Sequence, residues 1–291
     1  MTMRKRLSIL VNMNRLTIEK RVAVLAALVE GTSIRATCRM TGAAKNTVQK
    51  LLLEVGAACA VYQDKHLRDL NSKRLQCDEI WTYCYAKAKN VPEGLKGQFG
   101  VGDVWTWVAL DADSKLAVSW LVGLRDAEWA NAFMQDVAKR VKGRVQLTTD
   151  GHNAYLQAVD DAFGTEVDYA MLVKLYGTAP EAGRYSPPEC IGCRRQKILG
   201  TPDKAAISTS FVERQNLTMR MGMRRFTRLT NAFSKKIDHL EAAVALHFMY
   251  YNFVRVHQTL RVSPAMEAGV TDRLWNLGDI VDLLEAQEKS N

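Results

Sequence analysis

Cysteine is scarce in this chain, with six among 291 residues at irregular intervals. That excludes a disulfide framework as the source of stability. Cys190-Ile191-Gly192-Cys193 has the form of half a zinc site, but no second Cys or His pair at suitable spacing completes four ligands. Cys38, Cys59, Cys77 and Cys84 read as reduced core residues. Long hydrophobic runs are missing too. The best uncharged run, residues 242–254, lies between Glu241 and Arg255, well short of the ~20 residues a membrane-spanning helix needs. Leu7-Ser8-Ile9-Leu10-Val11 is too short for the apolar region of an export signal. A soluble protein of the reducing cytoplasm, with no membrane partner, is the expectation. No internal repeat or low-complexity tract stands out.

Acidic residues are few where basic ones gather. Residues 1–75 hold 14 Lys+Arg against 5 Asp+Glu, which accounts for the whole net charge of +9. Residues 184–236 hold 12 basic and 3 acidic residues, a second local excess of +9 inside an otherwise neutral remainder. Two such regions point to a polyanionic partner. The apolar fraction of 47% supports a sizeable core.

Residues 17–54 read as short helices. Ile18, Val22, Leu25, Ala26 and Val29 follow helical spacing, and Gly31 marks the end of that element. Ser33 is a suitable N-cap for the next helix, over residues 34–40, and Gly42 a suitable turn. Lys45 or Asn46 then opens a third helix. This is the helix-turn-helix pattern, in which the start of the second helix reaches base edges. Lys45, Asn46, Thr47 and Gln49 are the candidate DNA-binding residues there. Residues 1–60 are assigned to this small all-α domain and 61–74 to a connecting helix or linker. Lys65, Arg68, Lys73 and Arg74 stand ready for phosphates.

From Leu75 the pattern changes to strands. A strand over residues 75–84 precedes a hairpin, 102–110 and 115–123, around the turn Asp111-Ala112-Asp113-Ser114. A helix over 126–141, a strand over 145–150, a helix near 153–160 and a strand near 167–172 follow. Residues 173–208 form a loop-rich insertion with four of the six prolines. Two late helices cover 209–223 and 233–251. Strand, hairpin, helix, strand, helix, strand, helix is the order of the ribonuclease-H-like fold, a mixed α/β sheet flanked by helices. Residues 75–291 are assigned to it, with the first and fourth strands as central neighbours.

Three acids carry the chemistry. Asp78 lies in Leu75-Gln76-Cys77-Asp78-Glu79-Ile80-Trp81, Asp150 ends Val145-Gln146-Leu147-Thr148-Thr149-Asp150, and Glu213 lies in Ser210-Phe211-Val212-Glu213-Arg214-Gln215-Asn216. A carboxylate among apolar strand residues is costly unless its charge is offset. Two divalent metals about 3.5–4 Å apart would offset it and activate water against a phosphodiester. Mg²⁺ or Mn²⁺ suits such all-oxygen donors. Glu79 is set aside, because strand alternation points it to the opposite face. Asp111 and Asp113 are assigned to the hairpin turn, and Asp103, Asp160 and Asp161 to structural roles. His152 fits either a DNA contact or a helix start.

Asp78-Glu79-Ile80-Trp81, Thr149-Asp150-Gly151-His152-Asn153-Ala154-Tyr155, the block around Glu213, and Tyr251-Asn252-Phe253-Val254-Arg255-Val256-His257-Gln258-Thr259-Leu260 with Ser263-Pro264-Ala265 together resemble DDE transposases of bacterial insertion sequences. The likeness is to the family named for the first-numbered insertion sequence and covers about residues 75–275. It implies Asp78, Asp150 and Glu213 as catalytic metal ligands, terminal inverted repeats and target DNA as partners, and a homo-oligomer at the nucleoid. It also implies a basic residue seven positions after the glutamate, here Arg220. Glu213, Asn216 and Arg220 share a helix face, so Asn216, Arg220 and Arg224 are further candidate DNA contacts. His257 either approaches the site's edge or anchors the last helix. A non-catalytic DNA-binding regulator and a ribonuclease-H-like nuclease without end specificity are the competing readings.

Overall fold

The computed structural model describes residues 15–177, 190–227 and 231–290, with side chains to 286. Three helices come first: α1 (Ile18–Val29), α2 (Ile34–Thr41) and α3 (Lys45–His66). The expected punctuation is there. Ser33 Oγ accepts from the Ala36 N–H at 3.2 Å, and Gly42, at φ 69°, closes α2 in the left-handed conformation. α3 then starts at Lys45 and runs 22 residues without a break.

The strands are β1 (Arg74–Cys84), β2 (Gly102–Asp111), β3 (Ala117–Gly123), β4 (Val145–Thr149), β5 (Val167–Tyr176) and β6 (Cys190–Leu199). They form one sheet in the order β3-β2-β1-β4-β5-β6. β1 pairs antiparallel with β2 and parallel with β4, so the first and fourth strands are central neighbours, as expected. β4 and β5 are parallel. β5 and β6 form an antiparallel ribbon, so the span expected to be a loop-rich insertion contributes strand on both sides of residues 178–189. Its residues 178–189, with three of its prolines, lie outside the described residues.

The remaining helices are α4 (Ala127–Ala138), α5 (Ala154–Phe163), α6 (Ser210–Gly222), α7 (Ile237–Met249), the short α8 (Pro264–Glu267) and α9 (Leu277–Ser290). α4 is capped by Asp126, whose carboxylate accepts from the Trp129 N–H at 3.1 Å. α7 continues as a π turn, Tyr250–Val254, whose Asn252 side chain bonds both the N–H and the C=O of Ala117, at 2.9 and 3.0 Å. That amide fastens the end of the helix to β3.

A single hydrophobic cluster joins Leu25 and Val48, Leu52 and Val55 of the first helices to Ile80, Trp107 and Phe133 around the sheet. α3 lies against α7 at Gly56, where an added Cβ would stand 2.5 Å from both Cα and Cβ of Ala242. Gln63 reinforces the contact by donating to the Ala245 carbonyl at 3.2 Å. Gly56→Ala should therefore lower stability. Its helix-propensity gain of about 1 kcal/mol opposes an overpacking cost of about 1–3 kcal/mol against backbone that must move. A thermal melt checks this, and a raised Tm would mean α3 can shift off α7 at little cost.

Candidate active site

β1 and β4 end at different levels, and the site lies in the step between them. β4 stops at Thr149, opposite Cys77 of β1, while β1 runs on to Cys84. From Asp78 onward that edge of β1 has no strand beside it. Asp150 falls directly after the last paired residue and enters the open edge.

The two faces of β1 are covered differently. On one face Gln76 Oε1 accepts from the N–H groups of Phe211 and Val212, at 2.9 and 3.2 Å, capping the first turn of α6. Asp78 Oδ2 accepts from Asn216 Nδ2 of the same helix at 2.9 Å. On the other face Glu79 Oε2 accepts from Arg125 Nε at 3.0 Å, and its side chain is 1% exposed. Strand alternation does put Glu79 on the opposite face from Asp78, yet it does not take Glu79 out of reach. Glu79, Asp78 and Asp150 present ligand atoms all within 4.8 Å of one another, because side chains from both faces reach round the uncovered edge.

Arg125 serves two of these acids, reaching Asp150 Oδ2 at 3.5 Å as well. Asp150 Oδ1 also accepts from the His152 N–H at 2.9 Å, which turns the chain into α5. Burial, reinforced by the nearby Asp150 charge, pushes Asp78 up to about 6. Burial and Asp150 likewise push Glu79 up to about 7. The Glu79 Oε1, His152 Nε2 and Tyr155 hydroxyl atoms are buried, and the Tyr155 hydroxyl beside Glu79 favours its ionised form. His152 packs with its ring 6.0 Å from that of Trp107, and burial pulls its pKa down.

Glu213 stands in the first turn of α6, outside this close group. Lys174 Nζ of β5 donates to its Oε2 at 2.6 Å, and Thr209 Oγ1 donates to its Oε1. Its charge still raises the pKa of Asp78, so it borders the cluster. Asn216 is buried beside Asp78, Arg220 is half-buried in the last turn of α6, and Arg224 is exposed just beyond. Lys45 and Asn46 are exposed and Thr47 and Gln49 half-buried at the start of α3.

The other acids are accounted for by structure. Asp111 Oδ1 accepts from the Asp113 N–H at 2.8 Å in the hairpin turn, and Asp103 accepts from the Ala88 N–H at 3.1 Å. Cys190 and Cys193 are exposed on β6, and no metal-ligating group forms around them among the described residues. Gln76, Arg125 and Lys174 have no role assigned from sequence, and Glu79 is set aside there. Glu79 and Gln76 carried a usable signal, since a polar group within an apolar strand needs a partner. Arg125 and Lys174 carried none.

Oxygen donors alone suit a hard divalent cation. The fit is direct: Asp78 and Glu79 repel Asp150 at short range, and a cation among the three would relieve that repulsion. Among the described residues no helix is long and apolar enough to cross a membrane.

No protein-family model and no curated protein matches the chain. Among solved structures it is similar to a chain of the Mos1 strand transfer complex, at 13% identity and a TM-score of 0.23, over 53% of this chain and 58% of that one. It is also similar to the piggyBac transposase in a synaptic complex with hairpin DNA, at 11% identity and a TM-score of 0.38, over 94% of this chain and 71% of that one. The chain thus spans less than two thirds of the Mos1 chain. At these scores the likeness carries no argument about activity, and the candidate site rests on its own geometry: an oxygen-donor cluster in the step between two central strands.

Proposed function

We propose that this chain is a transposase that cuts DNA at the ends of an insertion sequence and transfers the freed strand into target DNA. The observation that carries the reading is the convergence of Asp78, Glu79 and Asp150 within 4.8 Å, with Asp78 and Glu79 held well above ordinary carboxylate pKa values. Such a group is stabilised by a cation. The four ordered sequence blocks and the placement of β1 beside β4 support the same reading.

Asp78 and Asp150 would hold the cation, with Glu213 completing the set on release from Lys174. When bound, Mg²⁺ or Mn²⁺ supplies charge stabilisation to the phosphodiester and to the attacking oxygen. Asn216 orients Asp78 through its amide N–H. Gln76 keeps α6 over the strand end, so it acts as a positioning residue. Arg125 holds Glu79 and Asp150 against one another, which limits how far either carboxylate swings. Lys174 is a stand-in positive charge for Glu213. Lys45, Asn46, Thr47 and Gln49 would contact the terminal repeats, and Arg220 and Arg224 the strand beside the site. Joining two ends at once calls for a homo-oligomer working at the cytoplasmic nucleoid.

Incubating the protein with DNA carrying the repeats that flank its gene tests this. Cuts at the repeat ends in Mg²⁺, absent in EDTA, are the expected result. Cutting without end preference would favour a general nuclease, and binding without cutting a regulator.

A further inference from the structure

A second cleft, of about 590 Å³, opens where the start of α3 faces the turn Arg224–Phe226 and residues 231–239. Its composition is one-sided. Arg35, Lys45, Arg224, Arg225, Lys235 and Lys236 line it, and no Asp or Glu does. Among the described residues none of the six is in an ion pair, although Lys235 Nζ lies 5.0 Å from the centre of the Phe233 ring.

Arg225 is the most telling of them. It is half-buried, its Nε donates to Ser234 Oγ at 2.9 Å, and burial pushes its guanidinium down to about 10 with no carboxylate opposing the shift. A desolvated cation with only a hydroxyl for a partner lacks its counter-charge. A guanidinium fork matches the oxygens of a phosphate or a carboxylate, and the five other cations around Arg225 suit an anion that repeats along a chain, as a phosphodiester backbone does.

The walls are fixed in place. Thr82 Oγ1 of β1 donates to the Arg225 carbonyl at 2.7 Å, and the Tyr85 N–H donates to the Ser234 carbonyl at 2.9 Å. Both rim segments are therefore pinned to the far end of β1. Thr82 shares a strand face with Asp78, four residues and roughly 13 Å away. A volume of this order is that of a small-ligand pocket, which suits one strand's backbone rather than a whole duplex.

We propose that this cleft is a phosphodiester-binding site that clamps the backbone of one nucleic acid strand between α3 and the Arg224–Phe226 turn, on the sheet face that carries Asp78. Lys45 and Gln49 then grip backbone, and base reading falls to the exposed Asn46 and its neighbours. The identity of the polyanion rests on the proposed transposase reading. The existence of the site does not, because binding needs neither metal nor cleavage.

The test is fluorescence anisotropy with a fluorescein-labelled single-stranded 15-nucleotide DNA in EDTA. Lys235→Glu/Lys236→Glu is expected to weaken binding at least about tenfold and to reduce the salt slope by roughly one or two phosphate contacts. Arg225→Met, which keeps bulk and removes charge, should weaken binding comparably at an unchanged or raised Tm. Lys139→Glu/Lys142→Glu, a matched change of charge far from the cleft, should have less than a threefold effect. Equal loss in cleft and control variants would overturn the site, as would stabilisation of wild type by inorganic phosphate that the oligonucleotide fails to displace. If Arg225→Met does not fold, the lysine pair decides alone. Cleft variants that bind normally in a protein that cuts DNA would sink this inference and leave the transposase reading. Cleft variants that lose binding in a protein that never cuts would do the reverse.

Discussion

Asp150→Asn is expected to lower metal-dependent strand cleavage by about 10²–10⁴-fold, the equivalent of several kcal/mol of transition-state stabilisation, while leaving DNA binding intact. Asparagine keeps the size of the side chain, and its amide oxygen can still accept from the His152 N–H that Asp150 now holds at 2.9 Å. What it loses is the negative charge facing Asp78 and Glu79. Asp78→Asn and Glu213→Gln should fall in the same range. Glu79→Gln should cost about tenfold, since Arg125 already balances that carboxylate, at 3.0 Å. Steady-state cleavage rates of the four variants, measured side by side, rank the acids. A deep loss in Glu79→Gln with a mild one in Glu213→Gln would move the third ligand from α6 to β1. No loss in Asp150→Asn would remove the cluster from the chemistry altogether.

In EDTA the protein should become less stable as the pH rises from about 4 to about 7. Asp78 at about 6 and Glu79 at about 7 both lie above their unfolded values. Between those limits the native state binds more protons than the unfolded chain, so its stability falls with rising pH. The full cost is reached above the folded values and is on the order of 2–3 kcal/mol for each group. At about 2–4 °C per kcal/mol in a chain of this size, Tm should drop by several degrees. His247 acts in the opposite sense. Burial lowers it from 6.5 to about 3, so its contribution rises with pH across that interval. Comparison with Asp78→Asn/Glu79→Gln isolates the carboxylates, because that variant should lose the fall and keep the rise. Adding Mg²⁺ at pH 8 should restore about 3 kcal/mol at a hundred times its Kd, and only in wild type. A flat profile in EDTA, or equal gains from Mg²⁺ in both proteins, would mean the three acids do not form a cation site.

The signals that read correctly from sequence were short-range ones. Ser33 as a cap, Gly42 as a left-handed stop, Asp126 at the head of α4 and the acids of the Asp111 turn each act through the chain within a few residues of themselves. Hydrophobic spacing separated helix from strand, and the order of elements was enough to place β1 beside β4. Asp78, inside the apolar run of β1, and Asp150, just past the end of β4, stood out as candidates for the same local reason.

Other features depended on where distant elements stop. Glu79 joined the site because β4 ends at Thr149 while β1 continues, a difference in strand length that no alternation pattern encodes. Gln76 became the cap of α6, 135 residues away, and Lys174 the partner of Glu213, 39 residues away, only once β1, β5 and α6 were packed together. The same holds for the contact of Gly56 with Ala242 and for the basic cleft, whose walls come from opposite ends of the chain. Sequence by itself determined the local elements and their order, and marked the acid inside β1 and the one just past β4 as candidates, because backbone preferences and burial costs are set by neighbouring residues. Tertiary structure alone decided which carboxylates meet and which cations gather in a cleft that no described carboxylate lines, because those depend on side chains reaching across gaps that exist only after the sheet and its covering helices have closed.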